Sequence, residues 1–446
     1  MAPYPCSCGR AFQSVAALAQ HRAAKHCLQH PTDRVERHEI QPHIAQTARP
    51  MAGNQRAGKN RGSRDSHLWR GALGLDPIAE INSANLQATG TRVTISTPSQ
   101  LVCSYNWQST GGFDVPGHAP VWKDIPLPTT LPRDPKHSSS KPTFTTSTYP
   151  FQQIFQATSV MSPDFRFDKI DIVTTRNSLR KFLDFCAGRR QENFRVNLSV
   201  VENTLFIEQY NVINMAQGTG WGHSFEKAFT RYPPGLENST THDRFLQYSI
   251  GDLNCLVGFE VDASYEGDGG ESTRVQAKLE ELQDGLGQLS LDPSTARTNT
   301  IGECSIPPPS VSLPPGTKIM PQETAAELKT SKVGKYAITA YLPQLWFGRT
   351  CWLIVASHNE GTVVSTKITD VSSRLTQWEN ERQQDLQKLA TFLAEVRGAI
   401  RKAGKRCCLI YEKGVPGGPN VAKLFAVKTT GTGSLVPENM LSQFWG

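Results

Sequence analysis

Glu327 and Lys329 stand two residues apart in Ala326-Glu327-Leu328-Lys329-Thr330-Ser331, a stretch that reads as a short strand. That spacing puts both side chains on one face. A carboxylate beside an ammonium suits metal-dependent phosphodiester hydrolysis. The acid holds a divalent ion, and the lysine orients the attacking water and steadies charge on phosphate. Taken alone, Glu-x-Lys is most often a solvated strand face.

A second acid pair precedes it in Gly258-Phe259-Glu260-Val261-Asp262. Leu253, Cys255, Val257, Phe259 and Val261 alternate with Asn254, Leu256, Gly258, Glu260 and Asp262. Period two therefore sets Glu260 and Asp262 on the face opposite the apolar row. Two like charges on one face repel; either a bound cation or exposure to water relieves them. Gly222-His223-Ser224-Phe225-Glu226 reads as a glycine turn opening a helix, with Glu226 near its first turn. In Val173 to Leu179 a strand gives way to a helix, with Arg176 at the junction, a position where a guanidinium can fork onto phosphate.

In this order the four elements resemble those of the DXO family of RNA 5′-end decapping nucleases and pyrophosphohydrolases. That family carries an arginine, a glycine-led element ending in Glu, a Glu-Φ-Asp and a Glu-Φ-Lys. Here they are Arg176, Gly222 to Glu226, Glu260 to Asp262, and Glu327 to Lys329. Gln344-Leu345-Trp346-Phe347-Gly348-Arg349 looks like the family's strand after the last motif. Two features depart from the family. Sixty-four residues, Ala263 to Ala326, form the stretch dividing the third motif from the fourth, and His223-Ser224 stands where bulkier aromatic residues are common.

The resemblance implies Glu226, Asp262 and Glu327 as ligands of Mg²⁺ or Mn²⁺. It implies that Glu260 binds metal-bound water or the ion itself, that Lys329 and Gln344 orient nucleophile and phosphate, and that Arg176 meets the RNA end. It further implies hydrolysis of triphosphate, unmethylated-cap or NAD-capped ends with 5′–3′ exonuclease action, and a 5′–3′ exoribonuclease as partner. The alternative is a zinc-finger RNA-binding adaptor with an inactive nuclease-like domain; the presence of all four acids and the lysine argues against it.

The elements that must position these residues are strands with short helices. A strand is expected over Phe165 to Val173, then an amphipathic helix through Leu179, Phe182 and Leu183. Phe194 to Val200 and Leu205 to Glu208 read as a hairpin turning at Asn203-Thr204. Trp352 to Ala356 reads as a buried strand, with Gly361 to Val364 turning back beside it. Ser372 to Lys402 reads as one long helix, and Cys407 to Glu412 and Lys423 to Lys428 as closing strands. The fold class is α+β: mixed β-sheets flanked by helices, a nuclease-like core. A catalytic domain over 146–446 is expected, with an insert at 263–326 that holds a surface helix near Val275 to Leu286.

Ahead of it, Cys6, Cys8, His21 and His26 have the Cys-x-Cys-x12-His-x4-His spacing of a Cys2His2-type zinc finger over residues 1–30, with Cys27 as a substitute ligand. Residues 31–145 read as a basic, Pro/Ser-rich flexible arm or covering segment, with short strands at Arg92 to Ser96 and Leu101 to Trp107. Residues 1–75 hold 11 Lys and Arg against 4 Asp and Glu, the whole of the net +7. Such an arm suits contact with nucleic acid. No 18-residue apolar run is present, so neither a membrane span nor a signal peptide is expected. Ten unevenly spaced cysteines suggest a reducing compartment, nucleus or cytoplasm with the nucleus favoured. No Gly-Lys-Ser/Thr phosphate loop and no Asp-Asp-x-x-Asp element occurs.

A finger this small depends on its ion to fold, so a 1–35 peptide should take up one zinc and gain helical circular dichroism with it. A peptide that binds none removes the finger.

Overall fold

The computed structural model describes residues 67–135, 149–189, 192–210, 220–267, 311–314, 316–414, 418–427 and 435–446, with the backbone of 4–5 and 11–12. The chain divides into two units, Met1–Ala57 and Gly58–Gly446. In the first, Tyr4–Pro5 and Ala11–Phe12 pair antiparallel. Cys6, Cys8, His21 and His26 lie outside the described residues, as do the basic arm up to residue 66 and the helix expected over Val275 to Leu286.

The principal strands of the second unit are β1 (Gln100–Gln108), β2 (Ile172–Thr175), β3 (Phe194–Val201), β4 (Thr204–Gln209), β5 (Ser239–Ile250), β6 (Leu253–Glu260), β7 (Ala325–Lys332), β8 (Trp352–Asn359), β9 (Thr362–Asp370), β10 (Cys407–Tyr411) and β11 (Val421–Ala426). The helices are α1 (Gln152–Met161), α2 (Arg176–Cys186), α3 (Gly222–Phe229), α4 (Leu342–Phe347), α5 (Ser372–Glu381), α6 (Gln383–Ala403) and α7 (Glu438–Trp445). An eleven-stranded sheet runs Val311–Ser312, Phe113–Asp114, β1, β5, β6, β2, β4, β3, β10, β11, Ala79–Asn82. A seven-stranded sheet runs Thr230–Arg231, Val121–Trp122, Ala263–Ser264, β7, β8, β9, Thr129–Thr130. Both sheets are mixed: β2 lies parallel to β4 and β6, and β7 parallel to β8, among antiparallel neighbours. The α+β class expected from the sequence is the one observed.

One core is shared by the two sheets. Ile172, Leu205, Ile207, Cys255, Val257 and Phe259 reach it from the large sheet, and Leu353 and Val355 from the small one. The helices α2, α4, α5 and α6 fill it, with Phe392 of α6 set 5.2 Å from both Phe182 and Phe185 of α2. Alternate residues of the same strands turn away: Val173, Phe206 and Leu256 pack under α1 and α7, and Ile354 and Ala356 under α3. Strands covered on both faces lose the polar alternation that marks a half-exposed strand.

Several sequence readings change accordingly. The strand β6 is buried on both faces and ends at Glu260, so Asp262 lies beyond it rather than on a polar face. The strand expected from Phe165 begins only at Ile172, after a 3-10 turn over Phe167–Lys169. Gln344 lies in the helix α4 and not in a strand; Pro343 in its first turn has the fixed φ that a helix start accepts. The long helix is two, broken at Arg382, whose φ of −111° and ψ of 14° leave the helical region. Arg92 to Ser96 is not a strand, although Leu101 to Trp107 is. Residues 79–130, read as part of a flexible arm or covering segment with short strands, supply strands to both sheets; most are two to four residues long, too short to show a period.

Two glycines separate packing from propensity. A Cβ on Gly258 in β6 would overlap the ring of Phe245 from β5, whereas a Cβ on Gly398 in α6 meets nothing within 4 Å. Gly258→Ala should cost about 1–3 kcal/mol by overpacking, and Gly398→Ala should gain about 0.5–1 kcal/mol of helix propensity. Urea midpoints that move in the same direction would contradict this packing.

Candidate active site

Glu327 is the centre of the site. Its side chain is only 2% exposed, and a buried carboxylate must be matched by donors. Three elements supply them. From the first turn of α2, Arg176 Nη1 donates to Glu327 Oε2 at 3.0 Å. From β7 itself, Lys329 Nζ donates to Glu327 Oε1, and from α4, Gln344 Nε2 donates to the same oxygen. Burial alone would raise the Glu327 pKa; the charges of Arg176 and Lys329 outweigh it and hold it at about 2.

Arg176 is placed by the helix start. Thr175 caps α2 by accepting from Ser178 N at 3.3 Å, which fixes the turn from β2 into helix. The second arm of the guanidinium donates to the Glu260 carbonyl at 3.2 Å, and its Cζ lies 5.4 Å from the centre of the Phe259 ring. Gly348, just past α4, makes room for this group. A Cβ there would come 3.1 Å from Arg176 Nη1.

Asp262 is reached two residues after β6 ends. Its Oδ2 accepts from Leu328 N at 2.9 Å, so it is bound to the backbone of β7 between Glu327 and Lys329. Lys329 Nζ lies 3.7 Å from the same oxygen. Burial, and next the charge of Glu327, push the Asp262 pKa well up, with Glu226 and Glu260 adding to the rise. The two neighbouring acids are thus driven apart, one held ionised and the other resisting ionisation. Lys329, despite burial, has its pKa raised by both.

Glu226 stands beside this cluster. Its carboxylate meets His223 Nδ1 at 3.4 Å, one turn earlier on α3. The amino end of α3 is held by Asp134, which accepts from Ser224 N at 2.9 Å and His223 N at 3.3 Å. Next to the cluster opens a cavity of about 480 Å³, lined on its polar side by Arg176, Asn177, Arg180, Asp243, Glu260 and Gln344 and on its apolar side by Phe151 and Phe245.

The structure therefore joins Arg176, Asp262, Glu327, Lys329 and Gln344 by direct contacts, ties Glu260 in through its backbone, and sets Glu226 at the edge. Three residues were missed in the sequence. Arg180 carried a signal, since it lies four positions after Arg176 on a helix. Asp243 faces Glu260 across β5 and β6, and Asp134 caps α3 from outside any motif; neither is visible without the pairing. Among the described residues no three His, Cys, Asp or Glu side chains already surround one point. No described helix is long and apolar enough to cross a membrane.

Removing the Glu327 charge leaves Arg176 without its carboxylate partner and Lys329 with Asp262 alone. Glu327→Gln should cost roughly 3 kcal/mol, whereas Asp262→Asn should leave stability within about 0.5 kcal/mol or raise it. The pH dependence follows in sign. Glu327 ionises near 2 when folded against 4.5 ordinarily, so its stabilisation is full above the higher value and lost as pH falls through the lower. Denaturation midpoints measured down this window should fall more steeply for wild type than for Glu327→Gln; parallel curves would refute the pairing.

Solved structures share this fold, among them two Rai1 proteins. Rai1 of S. pombe superposes with a TM-score of 0.50 at 13% identity, covering 78% of this chain and 99% of that one. Rai1 of Scheffersomyces stipitis, solved with 3′-NADP⁺ and a calcium ion, superposes with a TM-score of 0.50 at 10% identity, covering 82% of this chain and 99% of that one. No curated protein matches the sequence. Residues 78–445 match the family model described as a domain of unknown function, DUF8563, and since this match takes in most of the chain, the protein belongs to that family.

Proposed function

We propose that this chain is a divalent-metal-dependent hydrolase acting on RNA 5′ ends. It would remove a triphosphate, an unmethylated cap or an NAD cap, with 5′–3′ exoribonuclease action as a further activity. The observation that carries the reading is the gathering of Arg176, Asp262, Glu327, Lys329 and Gln344, from separate elements, beside one polar-walled cavity. The likeness to a fold whose S. stipitis member was solved with a dinucleotide and a divalent cation supports it.

The donor chemistry fits a hard divalent ion. Glu226, Asp262 and Glu327 offer only carboxylate oxygens, and the acids raise one another's charging cost, a debt that a cation relieves. Glu327 is engaged by two donors on Oε1 and one on Oε2, so an ion held there would take the remaining lone pair of Oε2 or displace a donor. Mg²⁺ or Mn²⁺, when bound, would supply charge neutralisation and water activation. The chain's own residues do the rest. Arg176 sits where it can shift a donor from Glu327 to an entering phosphate. Lys329 is kept protonated and can follow the developing negative charge. Gln344 and Glu260 orient water at the cavity wall. A zinc finger formed by Cys6, Cys8, His21 and His26, and the basic arm after it, would add RNA affinity of the salt-sensitive kind. A 5′–3′ exoribonuclease partner and a nuclear location belong to the same proposal.

One observation favours the second reading, an RNA-binding adaptor with an inactive nuclease-like domain: the engagement of both Glu327 oxygens by its own neighbours. Activity decides between them. Purified protein should release the 5′ group from at least one of triphosphorylated, unmethylated-capped or NAD-capped RNA with Mg²⁺ or Mn²⁺, and chelator should stop it. Asp262→Asn, which keeps the fold, should lower the rate at least several-hundredfold, about 3–4 kcal/mol of barrier. Lys329→Ala should lower turnover with less effect on metal affinity. Processing of none of these ends, or full activity in Asp262→Asn, gives the adaptor reading its place.

A further inference from the structure

Arg180 follows Arg176 by one turn of α2, so the two guanidinium groups leave the helix on the same side. Arg180 Nη1 donates to Gln344 Oε1 at 3.1 Å. Gln344 Nε2 donates in turn to Glu327, and Glu327 accepts from Arg176. Four side chains thereby close a ring that leaves α2, passes through α4 and β7, and returns to α2.

The ring has a direction. A guanidinium has donors only and an ionised carboxylate acceptors only. Gln344 lies between them, and a primary amide satisfies both in just one orientation, with its oxygen toward Arg180 and its nitrogen toward Glu327. The terminal torsion of glutamine is broad and roughly two-fold. Glu327 opposes a half-turn at the nitrogen end and Arg180 at the oxygen end, so without Arg180 the amide is held at one end alone. Arg180 and Gln344 also share the wall of the cavity.

We propose that Arg180 is a positioning residue for this site: by holding Gln344 Oε1 it fixes the amide so that its nitrogen stays on Glu327. It acts through Gln344 and not on the substrate. Its kinetic consequence rests on the hydrolase reading above; its structural consequence does not.

The test therefore has two readouts on the full-length protein. In protein labelled with ¹⁵N-glutamine, the side-chain amide pair of Gln344 is identified by its loss in Gln344→Ala. It should be a single, exchange-protected pair in wild type, lose that protection in Arg180→Ala, and keep it in Arg180→Lys, which retains a donor. In kinetics with triphosphorylated RNA and Mn²⁺, Arg180→Ala should lower kcat about tenfold or more, equivalent to at least 1.4 kcal/mol, with KM little changed. Arg180→Ala should add nothing further on a Gln344→Ala background. An unaltered Gln344 signal in Arg180→Ala, or a raised KM with kcat kept, as for direct substrate contact, overturns the proposal; so does full additivity. Should Arg180→Ala fail to fold, Arg180→Gln replaces it. An amide at that position donates without a charge, so the Gln344 pair should exchange faster than in wild type, and unchanged protection counts against. If wild type hydrolyses no RNA end, the hydrolase reading fails while the amide signal still decides the role of Arg180.

Discussion

A carboxylate withdrawn from water has to be answered by charge and hydrogen bonds, and the answer given to Glu327 governs how the second unit is assembled. Its donors come from α2, which follows the large sheet, from α4, which bridges the sheets, and from β7, within the small one. None of the three can shift independently, because each is also committed to the shared core through Leu179, Leu345 or Ala325. Breaking one partner away would leave the others buried and unmatched, which costs more than the pairing itself contributes. The ion network therefore acts on register and position more than on net stability.

The same economy explains why the neighbouring acid behaves differently. Asp262 is bound to the β7 backbone and shares Lys329 with Glu327, but it has no arginine of its own. With most of the available positive charge already committed, its ionisation stays costly. A chain that keeps such a residue carries a debt of charge at one point, next to a cavity with two arginines in its wall. That imbalance is what makes the cluster a site in place of an ordinary buried ion pair.

Much of this arrangement was legible in the sequence, and the exceptions have physical causes. Glu327 and Lys329 were read on one strand, Arg176 at a strand-to-helix junction and Gly222 as a helix opening, and each of these local features depends on near neighbours alone. The hairpin of β3 and β4 was legible for the same reason, its turn set by Glu202 with φ of 50°. Period two misled at β6, since alternation says nothing about a strand whose two faces both meet core. Gln344 was assigned to a strand on the family resemblance, whereas the helix around it is fixed by Pro343 and by the packing of Trp346. Arg382 breaks the long helix without any glycine or proline to announce it. The pairing of Asp243 with Glu260 joins separate strands and cannot be read from either.

The edge of the large sheet has a consequence for how the chain comes into being. Among the described residues Ala79–Asn82 pairs only with β11, Asn82 opposite Val421, so this segment must wait for one made more than three hundred residues later. At ribosomal rates of about 5–20 residues per second the interval is roughly 15–70 s. Throughout it Ile81 has no sheet to cover it, and β1, whose partner β5 arrives well over a hundred residues later, waits as well. Contacts this distant in sequence slow closure of a sheet. Through that interval the nascent protein carries unpaired strand edges, and a holding chaperone, or a second nascent copy, has its opportunity.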